Sequence, residues 1–470
     1  MSWWAVVTAG SALWVAVMSI AIVLQRRPAA STISWLLVLV FLPVVGIIAY
    51  RLVGPLKLER RKRRRSGARR IIEEGLRGLA ALDASAAEDR QLAMVPLQLG
   101  GAPPLRADSI DFYQDGETTY EAIAAAVRDA RDHVHLEYYI WEPDKIGHRL
   151  RDLLIERAQA GVGVRLLLDG TGSFHLKRAF LRPLREAGVA VAWFNPVRLF
   201  ALRRKRVDFR SHRKIVVCDG RVAFLGGMNI TDVHSAEFTG EYWRDTHMRL
   251  SGAAVWPVQR AFFEDWYYAT GELCPINTRT MPPPSQEGAH LVQVVASGPD
   301  ESTFAIHKVF FAAINHAIRR VWLTTPYFVP DDALLTALVT AALRGVDVRV
   351  LVPRRGDSRL VDLAARSYFP ELLDARVRIF EYEPRFIHAK TMLCDDDIAI
   401  IGSANFDNRS FRLDFEIAAV LYGTPGNEWL SAAFERDCAD STEVAPFRWS
   451  DLPFGRRLGE ASARLLSPLL

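Results

Sequence analysis

The sequence predicts an α/β protein made of two similar halves that follow an N-terminal transmembrane helical hairpin. Two long uncharged runs open the chain, strand and helix patterns then alternate, and the order of those patterns occurs twice. The chain has 470 residues, of which 50% are hydrophobic and 24% charged, so it can bury a large core in more than one domain. Its 4 cysteines form no C-x-x-C pattern, which argues against a cysteine metal cluster and favours a reducing compartment.

The hairpin prediction rests on residues 3–24 and on Ile33 to Tyr50, which carry no charge. Both runs are apolar and of a length that suits a bilayer crossing, and Trp35 starts the second near an expected interface. A cleaved signal peptide and a buried soluble hairpin are the alternatives. Because two such runs follow each other directly, we assign residues 1–56 to a transmembrane hairpin.

A basic run from Lys57 to Arg65 comes next. Directly after a membrane span, it predicts contact with anionic head groups and places the main body in the cytoplasm. The alternatives are a solvated linker and a nucleic-acid-binding arm. Residues 57–110 are assigned to this juxtamembrane linker. A second basic run, Arg203 to Arg206, is open to two interpretations, a membrane-facing lip and an ordinary loop.

The two halves are assigned to residues 111–280 and 286–470, separated by a proline-rich stretch between Asn277 and Glu287. Alternating strands and helices predict mixed sheets flanked by helices. In the first half, apolar spacing and β-branched content predict helix, strand, helix and strand at Thr119–Arg131, His133–Trp141, Ile146–Ala160 and Val164–Leu168. The second half predicts the same order at Phe304–Arg319, Val321–Val329, Ala333–Arg344 and Val348–Val352.

Each half carries one copy of the pattern H-x-K-x-x-x-x-D, followed at the same offset by a small-residue pair and an asparagine. The first copy comprises His212, Lys214, Asp219, Gly227 and Asn229. The second comprises His388, Lys390, Asp395, Ser403 and Asn405. One copy alone would most often be a surface strand without a function. Two copies with matching tails favour a functional pair.

The spacing within the motif indicates its chemistry. Histidine and lysine are two residues apart, so on a strand both side chains point to the same face. The aspartate then begins a turn, and the small residues let the backbone approach a ligand closely. Two copies would supply two imidazoles, two ammonium groups and two amides. Such a pocket suits a phosphodiester: cations hold the phosphoryl oxygens, one histidine attacks phosphorus, and the other protonates the leaving oxygen.

A carboxylate follows each motif, Asp245 after the first and Glu416 after the second, and both are expected in strands. A carboxylate bonded to the far nitrogen of a catalytic imidazole would set its tautomer and stabilise its cation. An ordinary salt bridge is the alternative for both residues.

The chain from about Tyr113 to its end resembles the phospholipase D superfamily, whose signature is this duplicated motif. Within that superfamily, the chain resembles the bacterial cardiolipin synthases, because these also have an N-terminal hairpin and residues Pro28 to Gly46 are similar to it. The resemblance implies that His212 is the nucleophile, that His388 is the acid and base, and that no metal or cofactor is needed. It also implies that Asp219 and Asp395 are structural or orienting residues.

The implied reaction is phosphatidyl transfer between two phosphatidylglycerol molecules, through a phosphohistidine, to give cardiolipin and glycerol. The expected partners are anionic phospholipids in a bacterial inner membrane, and not nucleic acid; the oligomeric state is left open. Three alternatives remain at this point. They are a hydrolytic phospholipase D or a transferase that uses another alcohol, a nuclease-type phosphodiesterase, and a membrane-anchored scaffold whose site is inactive.

Overall fold

The computed structural model describes residues 14–24, 29–42, 46, 67, 69–72, 74, 91–196, 209–240, 242–283, 288–300, 303–423 and 425–470. The basic runs Lys57 to Arg65 and Arg203 to Arg206 lie outside these residues, as does the end of the predicted boundary, 284–287. The chain forms two compact units, one of residues 1–61 and 197–208, the other of residues 62–196 and 209–470.

The smaller unit contains a helix over residues 14–23 and helix α1, Ala29–Phe41. Ile22 of the first helix and Leu39 of α1 are fully buried in one apolar cluster. Among the described residues, no helix has both the length and the hydropathy that a membrane crossing requires. The part of the prediction that concerns a transmembrane hairpin is therefore not established by the fold.

The larger unit alternates strands and helices in both halves, as predicted. The first half is built from α2 Gln91–Gln98, β1 Leu105–Tyr113, α3 Gly116–Asp129, β2 His133–Tyr138, α4 Lys145–Gln159, β3 Gly163–Asp169, α5 Arg178–Glu186, β4 Ala190–Phe194, β5 Arg210–Ser211, β6 Lys214–Cys218, β7 Val222–Gly226, α6 Ala236–Thr239, β8 His247–Gly252 and α7 Val255–Thr270.

The second half repeats most of this order. It is built from β9 His290–Ser297, α8 Ala305–His316, β10 Arg320–Thr324, β11 Phe328–Val329, α9 Asp332–Leu343, β12 Asp347–Pro353, α10 Arg359–Arg366, α11 Phe369–Asp374, β13 Arg378–Tyr382, β14 Thr391–Cys394, β15 Ile398–Gly402, β16 Phe406–Asp407, α12 Asn408–Arg412, β17 Asp414–Tyr422, α13 Pro425–Ala439, β18 Ser441–Glu443 and α14 Phe454–Arg464.

One mixed sheet runs through both halves, in the order β18-β13-β12-β10-β14-β15-β17-β9-β1-β8-β7-β6-β2-β3-β4. Counted outward from the central strands β9 and β1, each strand of one half has its counterpart at the same position in the other half, apart from β18 at one edge. At the centre β9 and β1 pair antiparallel, with Leu105 opposite Val292. The sequence predicts mixed sheets in the two halves. The structure joins them, because this pairing satisfies the edge that each half would otherwise expose.

The duplicated elements occupy matching places in this sheet. The motif strands β6 and β14 pair antiparallel with β2 and β10, which pair parallel with β3 and β12. The predicted strand Val321–Val329 is split into β10 and β11, since Pro326 lies between them and lacks a backbone N–H for a ladder.

The two halves also share an apolar core at the centre of the sheet. Ile215 and Leu225 from the first half and Ile401 and Ile417 from the second are fully buried in one cluster. A packed interior of this kind resists deformation, so groups held at its edge are placed precisely. Both motifs lie at this junction.

Candidate active site

The two motif histidines lie at the entrance of their strands rather than within them. β6 begins at Lys214 and β14 at Thr391, so His212 and His388 precede the regular ladders. The expectation that histidine and lysine share one strand is therefore wrong. The reason is a competing hydrogen bond: the His212 N–H donates to the Phe415 carbonyl at 2.9 Å, and the His388 N–H to the Arg244 carbonyl at 2.7 Å.

These hydrogen bonds cross from one half to the other. Phe415 directly precedes Glu416 of the second half, and Arg244 directly precedes Asp245 of the first. Beside them, β5 pairs parallel with the start of β17, and Arg244 bridges in parallel to Ile387. Each motif histidine is thus held next to the carboxylate of the opposite half.

The side chains complete the crossed pairing. His212 Nδ1 lies 2.9 Å from Glu416 Oε1, and His388 Nδ1 lies 2.6 Å from Asp245 Oδ2. Both carboxylates are fully buried. Because Nδ1 of each ring faces a carboxylate, it carries the proton of the neutral ring, and Nε2 is left as the nucleophilic or basic nitrogen. Glu416 lies in β17 as predicted, whereas Asp245 precedes β8, so the strand prediction for Asp245 is wrong.

The two lysines bring buried positive charge to the same place. Lys214 Nζ donates to the His212 carbonyl and Lys390 Nζ to the His388 carbonyl, each at 2.5 Å. Burial lowers the pKa of Lys214 to about 7 and that of Lys390 to about 8. A bound anion would favour the charged form of both, so the site is organised to receive one.

Burial also lowers the pKa of both histidines. The pKa of His212 falls to about 4 although Glu416 opposes the fall, and that of His388 falls well below its ordinary value through burial and then Lys390. For Glu416, burial acts to raise the pKa, but His212 and Lys214 outweigh it and the net shift is downward. The free site therefore holds neutral imidazoles beside an ionised Glu416. An imidazolium forms most readily when an anionic group is bound.

The motif aspartates lie at the far ends of the motif strands. Asp219 accepts hydrogen bonds of 2.8 Å from the backbone N–H groups of Arg131, Asp132 and His133. Asp395 accepts three equivalent bonds from Ile318, Arg319 and Arg320. Both aspartates are left-handed, with φ of 53°, as a tight turn requires. This placement agrees with a structural rather than a nucleophilic role.

The small residues make room for the carboxylates. A Cβ on Gly227 would lie 2.1 Å from Asp245 Oδ1, so any side chain there would displace Asp245. At the matching position, the Ser403 hydroxyl donates to Glu416, and the Ser403 carbonyl lies 3.1 Å from His212 Nδ1. The two halves thus position their carboxylates by different means.

The asparagines lie just beyond these small residues. Asn229 Oδ1 accepts a 3.2 Å bond from the Ile140 N–H, and Asn405 Oδ1 has no partner among the described residues. Both asparagines are nearly fully buried, and their contact with phosphate oxygens stays a prediction.

Several residues of the site were not predicted from the sequence. The ring of Tyr139 lies 4.9 Å from that of His212, and around His388 lie Trp243 at 5.4 Å, Phe386 at 5.9 Å and His234 at 5.9 Å. Tyr139 directly follows β2, which pairs with the motif strand β6. An aromatic residue at the end of that strand was the signal in the sequence that could have predicted its place beside His212.

Arg213 also escaped the sequence analysis. It lies between the histidine and lysine of the first motif, where the second motif has Ala389. Its fully buried guanidinium pairs with Asp265 and donates to the Glu416 carbonyl at 3.0 Å. The first motif is therefore tied to the backbone of its carboxylate partner by an additional charged group.

One set of three groups could be taken for metal ligands among the described residues. A ring nitrogen of His234, a carboxylate oxygen of Asp245 and a ring nitrogen of His388 lie within 4.8 Å of one another. Asp245 and His388, however, are 2.6 Å apart, whereas two ligands on a tetrahedral zinc ion are about 3.3 Å apart. The pair is spaced as a hydrogen bond.

Comparisons with known proteins agree with this geometry. The family model described as "Cardiolipin synthase, PLD-like domain" matches residues 123–239 and 310–438, and one described as "Phospholipase_D-nuclease N-terminal" matches residues 12–55. The chain is 41% identical to a cardiolipin synthase of Geobacillus kaustophilus, over 96% of this chain and 91% of that one. It is 39% identical to a cardiolipin synthase of Alkalihalophilus pseudofirmus, over 99% and 95% respectively.

Among solved structures, the phosphatidylserine synthase of Haemophilus influenzae has the same fold. It superposes with a TM-score of 0.62 and 14% identity, over 81% of this chain and 100% of that one. On the family match and the near full-length identity, the chain belongs to the cardiolipin synthase family of the phospholipase D superfamily.

Proposed function

We propose that this protein is a phosphatidyltransferase that makes cardiolipin and glycerol from two molecules of phosphatidylglycerol. The observation that carries the proposal is the crossed pair of imidazole–carboxylate contacts, His212 with Glu416 and His388 with Asp245, beside two buried lysines. This arrangement supplies a nucleophile, an acid and base, and positive charge for one phosphodiester. The relatives named cardiolipin synthase support the choice of substrate.

The first step forms the covalent intermediate. His212 Nε2 attacks phosphorus, the bond from phosphorus to the glycerol oxygen breaks, and His388 gives its proton to that oxygen as glycerol leaves. Lys214, Lys390 and the two asparagine amides stabilise the charge on the phosphoryl oxygens. Glu416 stabilises the cationic ring of the phosphohistidine through its contact with Nδ1.

The second step reverses the proton transfer. A glycerol hydroxyl of another phosphatidylglycerol gives its proton to His388 as its oxygen attacks phosphorus, and His212 leaves. His388 returns to its protonated state, which Asp245 stabilises through Nδ1. Because each step inverts phosphorus, the overall transfer retains its configuration. No step requires a metal or a cofactor.

We also propose that the chain is anchored in the bacterial inner membrane by the N-terminal hairpin, with its body in the cytoplasm. The match of residues 12–55 to an N-terminal family model supports the hairpin, and the basic run after Lys57 supports the orientation. Exposed apolar side chains on the helix of residues 14–23 and on α1, among them Val17, Ile20 and Leu37, also suit a lipid environment.

The C-terminal helix α14 offers the body a second contact with the membrane. Phe454, Leu458 and Leu465 are 72%, 56% and 81% exposed, on or next to this helix. Arg456 and Arg457 lie between them in the sequence. Exposed apolar residues interleaved with arginine are typical of surfaces that rest on anionic lipid.

A lipid assay tests the proposed function. Full-length protein in anionic liposomes receives labelled phosphatidylglycerol, with and without chelator, and the products are separated. We expect cardiolipin and one equivalent of glycerol, unchanged by chelator and lost in His212→Ala and His388→Ala. Phosphatidic acid as the sole product would assign the site to a hydrolase instead.

Two further substrates test the remaining alternatives. Cleavage of a nucleic-acid phosphodiester in preference to lipid would favour a nuclease-type enzyme. Lack of turnover with both lipid and nucleic acid, in protein that unfolds cooperatively, would favour an inactive scaffold. Arg376→Ala, a change in the exposed turn between α11 and β13, serves as the control for handling and reconstitution.

A further inference from the structure

The two halves differ at one position that the proposed mechanism does not use. In the first half, the Asn229 N–H donates to His234 Nε2 at 3.4 Å; in the second, the Asn405 N–H donates to Ser410 Oγ at 3.1 Å. His234 and Ser410 follow their asparagines at the same spacing. Both residues therefore anchor an asparagine, but an imidazole has a second polar atom and a hydroxyl does not.

The anchoring bond determines the tautomer of His234. Burial lowers the pKa of this histidine to about 3, so the ring is neutral and carries one proton. Since Nε2 accepts the hydrogen bond from Asn229, the proton lies on Nδ1. His234 is fully buried, and its Nδ1 makes no hydrogen bond of ordinary geometry among the described residues, although the Trp243 backbone acts on the ring as a hydrogen-bonding group and opposes the fall of its pKa. A buried N–H donor without a well-formed hydrogen bond is unfavourable, which indicates that a ligand or water completes it.

The surroundings of His234 indicate which ligand this is. One of its ring nitrogens lies within 4.8 Å of both Asp245 and His388, on the side of the site where the proposed acid and base lies. The negative charge of Asp245 disfavours a phosphate oxygen there but not a neutral hydroxyl. The ring of Trp243 lies 5.8 Å from His234 and 5.4 Å from His388, and its apolar face suits the carbon atoms of a polyol.

We propose that His234 Nδ1–H binds a hydroxyl of the glycerol head group next to His388. This inference rests on the proposed function. Both the leaving glycerol and the attacking glycerol exchange a proton with His388, so one subsite serves both steps. A water molecule or an alcohol without a second hydroxyl cannot fill the subsite while it reacts. His234 would thus favour glycerol-bearing lipids over other reactants.

The variant His234→Ser tests the donor alone. It copies the second half, so a hydroxyl remains to anchor Asn229 while the distal N–H is lost. The first measurement is kcat/KM for phosphatidylglycerol relative to phosphatidylethanol, whose head group has no free hydroxyl. We expect the preference for phosphatidylglycerol to fall about tenfold, mostly in KM. The second measurement is the ratio of cardiolipin to phosphatidic acid, which we expect to fall by a similar factor.

Two further variants separate binding from structure. His234→Asn offers a replacement N–H donor and should restore part of the preference. Ser410→Ala removes the matching anchor in the second half; it should lower the rates for both lipids equally and leave the preference as in the wild type.

The possible results separate this inference from the proposed function. A wild-type preference retained in His234→Ser would overturn the inference, as would an equal loss on both lipids. If the wild type made only phosphatidic acid, the proposed function would fail, while the preference between the two cleaved lipids would still decide the role of His234.

Discussion

The two motif sites contain a histidine, a lysine and a carboxylate partner each, in different surroundings. His212 Nδ1 has two acceptors, Glu416 and the Ser403 carbonyl, and Ser403 also donates to Glu416. For His388 Nδ1, Asp245 is the one acceptor found among the described residues. Aromatic rings surround His388, whereas His212 has Tyr139 beside it. Each carboxylate comes from the opposite half, so neither half contains a complete histidine site.

The largest effect should come from separating the roles of the two histidines. With phosphatidylglycerol, His212→Ala and His388→Ala should each lower transfer by about 10³-fold or more. With phosphatidyl-p-nitrophenol, whose leaving group needs no proton, His388→Ala should recover the initial release of nitrophenol and His212→Ala should not. Stopped-flow absorbance measures this release. Recovery in His212→Ala instead would reverse the two assignments.

Replacing the two carboxylates should have unequal effects, because His212 has a second hydrogen-bond acceptor, whereas none is found for His388 in the part of the chain that the structure describes. Asp245→Asn should lower kcat about 10³-fold or more, because His388 loses the carboxylate that orients and stabilises its cation. Glu416→Gln should cost about tenfold less, since the Ser403 carbonyl can still hold His212 in its tautomer. Steady-state kinetics on matched preparations compare them. Equal losses would show that the second acceptor of His212 has no effect on catalysis.

The small residues should give an intermediate effect. Gly227→Ala places a methyl group against Asp245 and should lower kcat about 10²-fold by moving the partner of His388. Ser403→Gly removes one hydrogen bond to Glu416 but introduces no clash, so we expect a loss of less than about tenfold. If Gly227→Ala kept wild-type kcat, Asp245 would tolerate displacement and the crossed contact would not need its present geometry.

The smallest expected effect is the one that the two lysines have on the stability of the protein without lipid. Burial holds the pKa of Lys214 at about 7, while that of an unfolded lysine is about 10.4, so between these values the unfolded chain binds more protons. The free folded protein therefore gains stability as the pH rises through this window. Lys214→Met has no ammonium group to bury, so its free energy of unfolding at pH 6.5 should exceed that of the wild type. The difference between the two proteins should become smaller by about pH 9.

The matched variant is Lys390→Met, whose parent lysine has a pKa of about 8 and should thus show a smaller advantage at pH 6.5. Thermal unfolding in detergent without lipid, followed by tryptophan fluorescence, measures both. A constant difference between wild type and Lys214→Met across the pH range would show that Lys214 is not desolvated in the free site.

Local patterns in the sequence were sufficient to predict the duplicated α/β halves. Apolar spacing identified α4 and β3, and their counterparts α9 and β12, because a side-chain period reports which face of an element is buried. The paired motifs identified the histidines and lysines that the structure brings together, because both residue types stood out by their repeated spacing. Glu416 was located in its strand on the same basis.

The crossed assembly of the site was decided by the tertiary structure alone. Glu416 reaches His212 across a sequence separation of 204 residues, and Asp245 reaches His388 across 143. Such contacts depend on the central pairing of β1 with β9 and on the loops that leave their ladders for the opposite half. No local period encodes that pairing, which results from the burial of two sheet edges and one shared core. The environment of His234 has the same origin, since one of its ring nitrogens lies within 4.8 Å of Asp245 from the first half and of His388 from the second.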